Sequence, residues 1–332
     1  MILPAIDRRE AITLAAATVA VVIWSSAFAG IAYGLKAFTP AELSLLRFLI
    51  ASAILAVPVA GGRIKLPPLR DWPLVLALGF IGISVYQLSL GYALTRISVG
   101  AAAVVIALAP GITAALAAVR LGERISKASI IGLGVAFGGV LLITIGSGRA
   151  VRFEPMTLFA LVAVFATSFY FVFQKPLLAR TSAVGFTVAS IFAGTLGLVP
   201  FGFALPAKIL EVPAAQLWSV AYLGIGPTIV GYLLWNFALS RAPASKVSSF
   251  LYVQPLVASA IAWMCLGQVP SVLTGIGGLL AIGGVVLTVT ASRPIPAPSA
   301  AKPVAIVESA MPRSGSAARP VGGVPKPCTE SP

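Results

Sequence analysis

Apolar residues dominate this chain in runs of about 18 or more, broken at intervals by proline, glycine and charged residues. A run of that length predicts a membrane-spanning helix, because roughly 20 residues rising about 1.5 Å each cross a hydrocarbon layer about 30 Å thick. Helices are predicted over about residues 11–33, 40–60, 72–94, 98–120 and 127–146, and again over about 154–175, 183–205, 214–239, 244–266 and 270–291. Pro40, Pro67, Pro68, Pro206, Pro213, Pro243 and Pro270 fall in the connections or first turns, where a missing N–H costs little. The predicted fold class is therefore an all-α polytopic membrane protein of about ten transmembrane helices. Residues 1–10 form a short amino-terminal segment and 147–153 a connecting loop. Residues 292–332, rich in Pro, Ala, Ser and Gly, bury too little apolar surface to offset the entropy of ordering and are predicted to be a disordered tail.

Composition agrees with lipid as the main solvent: 59% of residues are hydrophobic, 10% are charged, and the mean hydropathy is +1.02. The formal net charge of +14 does not indicate nucleic-acid binding, since the basic residues lie between apolar runs instead of along a solvent-facing groove. Their distribution instead predicts orientation. With the amino terminus inside, inner segments and the tail hold about 17 Lys and Arg and outer segments about 5, so both termini are expected in the cytoplasm and the protein in the cell inner membrane. The start, through Asp7, Arg8, Arg9 and Glu10, lacks a convincing cleavage site, so the first helix is expected to be retained. Histidine is absent, and Cys265 and Cys328 make neither a metal box nor a disulfide pair, so no metal and no cofactor are expected.

The chain also matches itself. Residues 93–145 align without a gap to 238–290 at an offset of about 145, with about 16 identities over about 53 positions. Arg96 pairs with Arg241, Pro110 with Pro255, Leu121-Gly122 with Leu266-Gly267, Gly132 with Gly277, and Gly138-Gly139 with Gly283-Gly284. Five helices per copy is an odd number, so the second copy (154–291) would enter the membrane opposite to the first (11–146). Such inverted repeats generate the two faces of alternating-access transporters.

The run Gly91-Tyr92-Ala93-Leu94-Thr95-Arg96 through Ala109-Pro110 to Leu121-Gly122-Glu123-Arg124-Ile125-Ser126, echoed by Phe237-Ala238-Leu239 through Gln254-Pro255 to Leu266-Gly267-Gln268, resembles the EamA-type transporters of the drug/metabolite transporter superfamily. Trp24-Ser25-Ser26 and Pro40-Ala41-Glu42 followed by Arg47 are similar to that family too. The resemblance covers about residues 11–291 and implies a ten-helix inverted-repeat fold, a cavity lined largely by helices 3, 4, 8 and 9, and export of amino acids and related metabolites. Gln268 departs from the family pattern, which repeats the Glu of the first half, here Glu123.

Candidate substrate contacts follow from polar stripes within the apolar runs. In helix 3, Ser84, Gln87 and Gly91 share a face with Tyr86 beside it, and in helix 8 Thr228, Tyr232 and Trp235 do so with Asn236 adjoining. The offset makes Gln87 equivalent to Tyr232 and Gly91 to Asn236, so the two faces are expected to meet across one cavity. Amides and aromatic rings suit a solute that is zwitterionic or partly apolar, although the same groups also bond neighbouring helices. Ser245, Ser248, Ser249, Tyr252 and Ser259 form a further stripe, where serine serves close packing equally well. Pro110 and Pro255 read as kinks inside their helices, with hinge or cavity roles. Arg47, about seven residues past Pro40, lies too deep for a loop charge; it is a snorkelled or paired structural cation, a substrate-carboxylate contact, or a gate. Glu123 is expected to pair with Arg120, Arg124 or Lys127, and Gly134-x-x-x-Gly138 to permit close helix contact.

There is no Walker loop, no mid-span Asp, Glu or His to relay protons, and no catalytic constellation, so neither an ATP-driven pump nor an enzyme is expected. The reading is a secondary transporter whose partners are a small-molecule metabolite and the lipid bilayer, exporting amino acids or related compounds. An importer of a vitamin or nucleoside-like solute and a passive metabolite channel stay open as alternatives. Oligomeric state is not indicated.

Overall fold

The computed structural model describes residues 7–97, 102, 105–146, 155–202, 205, 209–266 and 271–291. The connecting loop 147–153, Gln268 and the tail 292–332, with Cys328 in it, lie outside the described residues.

The described residues form helices throughout: α1 (Arg8–Gly34), α2 (Pro40–Ala60), α3 (Leu69–Leu94), α4 (Ala109–Leu121), α5 (Lys127–Gly146), α6 (Thr157–Leu178), α7 (Ala183–Phe201), α8 (Ala214–Arg241), α9 (Gln254–Leu266) and α10 (Val272–Ala291). Eight of them are long and apolar enough to cross a membrane; α4 and α9, of 13 residues each, are shorter. A short helix, Ala244–Ser248, and a 3-10 stretch, Ser249–Val253, lead into α9.

Local chemistry sets the starts. Thr39 and Glu42 form a reciprocal cap on α2, with Glu42 N–H donating to Thr39 Oγ1 at 3.3 Å and Thr39 N–H to Glu42 Oε2 at 2.8 Å, and Pro40 in the first turn. Buried Glu42 is thus drawn to a helix start and its free N–H groups. The two halves reuse one device for α5 and α10: Ser129 N–H donates to Ser126 Oγ at 3.0 Å, and Thr274 N–H to Ser271 Oγ at 3.2 Å. Gly122, with φ of +66°, ends α4 in the left-handed region. Helix α1 begins earlier than expected because Asp7 O accepts Ala11 N–H at 2.9 Å, and Glu10 in this added turn accepts Lys246 Nζ at 2.6 Å.

Among the described helices the pairing of α5 with α10 is the most extensive, and its pattern is informative. A Cβ on Gly132 would lie 2.7 Å from Gly284 O, and one on Gly139 would lie 2.5 Å from Gly277 O. Conversely, a Cβ on Gly277 would lie 2.6 Å from Gly139 O, and one on Gly284 would lie 2.5 Å from Gly132 O. Since Gly277 and Gly284 are the repeat equivalents of Gly132 and Gly139, each glycine faces the equivalent of the other, and the two helices run antiparallel. The contact is thus reciprocal between these two helices. The expected Gly134-x-x-x-Gly138 contact is corrected: a Cβ on either meets nothing within 4 Å, because the facing stripe recurs every seven residues.

One end of the bundle gathers charged contacts. Arg180 Nη2 donates to Asp71 Oδ1 at 2.7 Å, and Lys246 to Glu10 as above. Glu123 accepts Ala244 N–H at 2.8 Å, Ser245 N–H at 3.2 Å and the Ser245 hydroxyl at 2.6 Å. This corrects its expected pairing with nearby basic residues, since unsatisfied N–H groups at a chain reversal attract a carboxylate strongly. Lys175 Nζ donates to Leu239 O at 3.1 Å and Ala242 O at 2.5 Å, capping the end of α8.

Candidate functional site

Helices α3 and α8 are not uniform. Each contains a π-helical stretch, Phe80–Val85 in α3 and Gly224–Gly231 in α8, and the repeat offset of about 145 carries the first into the second. Extra residues of this kind are common at functional sites, because they rotate the side chains that follow. In α3 the regular helix resumes at Tyr86, next to Gln87, and in α8 it resumes at Tyr232.

Pro227 gives α8 its local cause. It has no N–H for the carbonyl of Leu223 four residues earlier, and the Thr228 hydroxyl donates to that carbonyl instead, at 2.8 Å. The Thr228 oxygen in turn accepts Arg47 Nε at 3.0 Å and Arg47 Nη2 at 2.9 Å. The Pro227 carbonyl accepts Trp24 Nε1 at 2.9 Å. One proline thus ties α1 and α2 to the broken turn of α8.

These groups surround a cavity with about 640 Å³ of atom-free space, part of it open to solvent. Arg47, Tyr86, Gln87 and Tyr232 all line it, so the structure brings the equivalent residues Gln87 and Tyr232 to one chamber. Arg47 Nη1 also donates to Gln87 Oε1, at 3.4 Å. Aromatic rings make the walls. Trp24 meets the Tyr232 ring edge-on at 5.5 Å between centroids, and Tyr170 meets it at 6.5 Å. The Tyr170 ring lies directly against Gly82, where a Cβ would collide with it.

The other sequence candidates sit elsewhere. Trp235 is fully buried behind the wall, its ring 5.0 Å from both Trp24 and Phe171. Asn236 is buried beside it and donates to Thr187 Oγ1 at 2.9 Å and the Tyr170 hydroxyl at 3.4 Å, so it holds a cavity tyrosine in place without facing the space. Tyr252 packs among Ala114, Leu133, Val140 and Val285, on the α5 and α10 side. Ser248 donates to Ser245 O at 3.2 Å and is fully buried, and Ser84 donates to Gly194 O at 2.8 Å on α7. The expected kinks at Pro110 and Pro255 are corrected too. Each is the second residue of a new helix, α4 or α9, where its ring suits the first turn and removes no interior hydrogen bond. The wall differs from the expected helices 3, 4, 8 and 9: α1, α3 and α6 supply most of the lining among the described residues.

A model of the EamA-like transporter family matches the chain twice, over residues 11–145 and 155–290. The chain belongs to the EamA-like transporter family. It is 36% identical over 267 residues to a probable terminal-alkyne amino-acid exporter of Streptantibioticus cattleyicolor, covering 80% of this chain and 90% of that protein. It is 32% identical to the uncharacterized transporter YdfC of Bacillus subtilis, over 80% of this chain and 87% of the relative. A probable amino-acid metabolite efflux pump of Escherichia coli is 24% identical over 82% of this chain and 93% of its own length. Among solved structures, one protein crystal structure superposes with a TM-score of 0.68 at 23% identity, covering 85% of this chain and 98% of that one, which shows a shared fold. Membership makes this EamA-like chain a multi-pass membrane transporter of small metabolites and not an enzyme.

In this EamA-like transporter the cavity residues passed over in the sequence include Thr167, Tyr170 and Phe171 on α6, Phe28 on α1 and Gln254 at the start of α9. A usable signal was present in α6, where Thr167, Ser168 and Tyr170 interrupt an otherwise apolar run. Gln254 was visible only as part of the family-like Gln254-Pro255 pair.

Proposed function

We propose that this transporter is an alternating-access exporter of amino acids or related compounds, built from ten transmembrane helices in two inverted repeats, 11–146 and 154–291, with both termini cytoplasmic. The observation that carries the reading is the cavity in which Gln87 and Tyr232, equivalent residues of the two halves, line one space. Reciprocal glycines on antiparallel α5 and α10 support an inverted relation between the halves. The excess of Lys and Arg on inner segments supports the orientation. Two relatives described as probable amino-acid or amino-acid-metabolite exporters support the substrate class.

In this reading a solute enters between the repeats, where amide and phenol groups meet its polar atoms and the rings of Trp24, Tyr170 and Phe171 cover its apolar body. Glu123, just past α4 in the first repeat, bonds the start of the α9 lead-in in the second and holds the cytoplasmic end shut. Rocking of one repeat against the other about the α5 and α10 seam releases the Glu123 contacts and exposes the cavity to the cytoplasm.

Replacing Gln87 with Leu or Tyr232 with Ala is expected to weaken apparent affinity about threefold to tenfold at unchanged membrane abundance, since one lost hydrogen bond costs about 0.5 to 1.5 kcal/mol. Competition for transport in membrane vesicles measures this. Wild-type affinity in both variants would remove the cavity from the transport path.

A further inference from the structure

Among the described residues that line the cavity, Arg47 is the one with a formal charge, and none is acidic. Arg47 is 3% exposed and sits deep within α2. Its partners are neutral: the Thr228 hydroxyl takes Nε and Nη2, and the Gln87 amide oxygen takes Nη1 at 3.4 Å, longer than a good N–H···O bond. A guanidinium carries five N–H groups, and these bonds use three of them. Glu42, the acid on the same helix, is engaged at the helix start through Thr39 N–H at 2.8 Å. Among the described residues the ion pairs are Arg180 with Asp71 and Lys246 with Glu10, both at the bundle end. A cation this deep in a membrane protein calls for an anion, and the cavity is where one can arrive.

The same lining is asymmetric toward a zwitterion. A carboxylate entering the cavity can replace the long Gln87 contact at Nη1 and form two parallel charge-assisted bonds with the guanidinium. Among the described lining residues an ammonium finds no carboxylate, and meets aromatic faces and neutral oxygens: the amides of Gln87 and Gln254 and the hydroxyls of Thr167 and the tyrosines. Accordingly we propose that Arg47 makes this a carboxylate-selecting site: the substrate class is small organic carboxylates with an apolar or aromatic body, and an α-amino group is tolerated but not required. The proposal rests on the transporter reading and deepens it, because it extends the class from amino acids to their deaminated counterparts.

The probes are 3-phenylpropanoate, which keeps the carboxylate and lacks the amine, and 2-phenylethylamine, which keeps the amine and lacks the carboxylate. Binding to the purified full-length protein is read from quenching of tryptophan fluorescence, since Trp24 lines the cavity. The acid is expected to bind the wild type at least about 30-fold more tightly than the amine, with Arg47→Met losing about that factor for the acid and Arg47→Lys recovering part of it. Equal binding of the two probes, preference for the amine, or no binding of the acid to folded wild type would each overturn the proposal, as would undiminished acid binding in folded Arg47→Met. If Arg47→Met does not fold, the wild-type comparison of acid with amine decides. A preference for the amine would leave the transporter reading standing; absence of any carrier-type exchange of amino acids would remove that reading independently.

Discussion

Replacing Gly139 or Gly277 with valine is expected to lower the thermal unfolding midpoint of the detergent-solubilised protein by about 5 to 10 °C, and to reduce folded yield sharply. A Cβ at Gly139 would stand 2.5 Å from Gly277 O, and one at Gly277 would stand 2.6 Å from Gly139 O. Both contacts are with backbone, which cannot rotate away, so α5 and α10 must separate along their length. Overpacking costs about 1 to 3 kcal/mol per site, and contact with backbone on both helices places these two at the upper end. Helix association in lipid depends on close packing, since there is no water to expel, so loss of this seam is not offset elsewhere. Gly134→Val and Gly138→Val are the controls: each Cβ meets nothing within 4 Å, and the midpoint should move by no more than about 2 °C. Equal destabilisation at all four positions would show that the effect is loss of glycine as such and not the seam.

Removing the Glu123 carboxylate should release the end of the bundle that it holds. Its oxygens take the Ala244 and Ser245 N–H groups and the Ser245 hydroxyl, and they join α4 to the α9 lead-in. Hydrogen bonds to a charged group contribute about 1.5 to 3 kcal/mol each, and water recovers part of that when the end opens. A net loss of about 2 to 3 kcal/mol shifts the open-to-closed ratio about 30- to 150-fold. The measurement is maleimide labelling of Ser249→Cys, fully buried beside this end, in a chain whose Cys265 and Cys328 are replaced by serine. Glu123→Ala should raise the labelling rate from the side that this end faces by at least about tenfold, and Glu123→Gln by less, because the amide still accepts one N–H. An unchanged rate in folded Glu123→Ala would mean that this contact does not hold a gate.

The helices were legible because period and punctuation coincide: apolar runs bounded by Pro40, Gly122 and Ser271 give much the same limits in the structure. The duplication was legible because Gly132, Gly139, Gly277 and Gly284 occupy one seam, where a methyl group does not fit. Gln87 and Tyr232 were reachable by arithmetic alone, since equivalent residues near the centre of two related helices face the same axis. What escaped depends on backbone irregularity and on tertiary partners. No spacing rule announces a π turn, and Pro227 did not signal that Thr228 would replace its N–H and then receive Arg47. Pro110 and Pro255 were read as kinks because the apolar run continues through them, whereas the chain starts fresh helices there. Tyr252 shares a stripe with serines, but its ring fits the gap between small residues of α4, α5 and α10. Glu123 lies among Arg120, Arg124 and Lys127 in sequence, yet the N–H groups it takes are about 121 residues away.

The central claim is that solute crosses by way of one cavity presented in turn to each side, and counterflow tests it most directly. Liposomes holding the purified protein are loaded with millimolar unlabelled amino acids, diluted, and offered the same amino acids at trace concentration in radiolabelled form. A carrier exchanges one solute for another, so the label should accumulate transiently above its equilibrium level and then decay, with a smaller overshoot in Tyr232→Ala. Uptake that rises only to equilibrium, or that is the same in empty liposomes, would contradict the account.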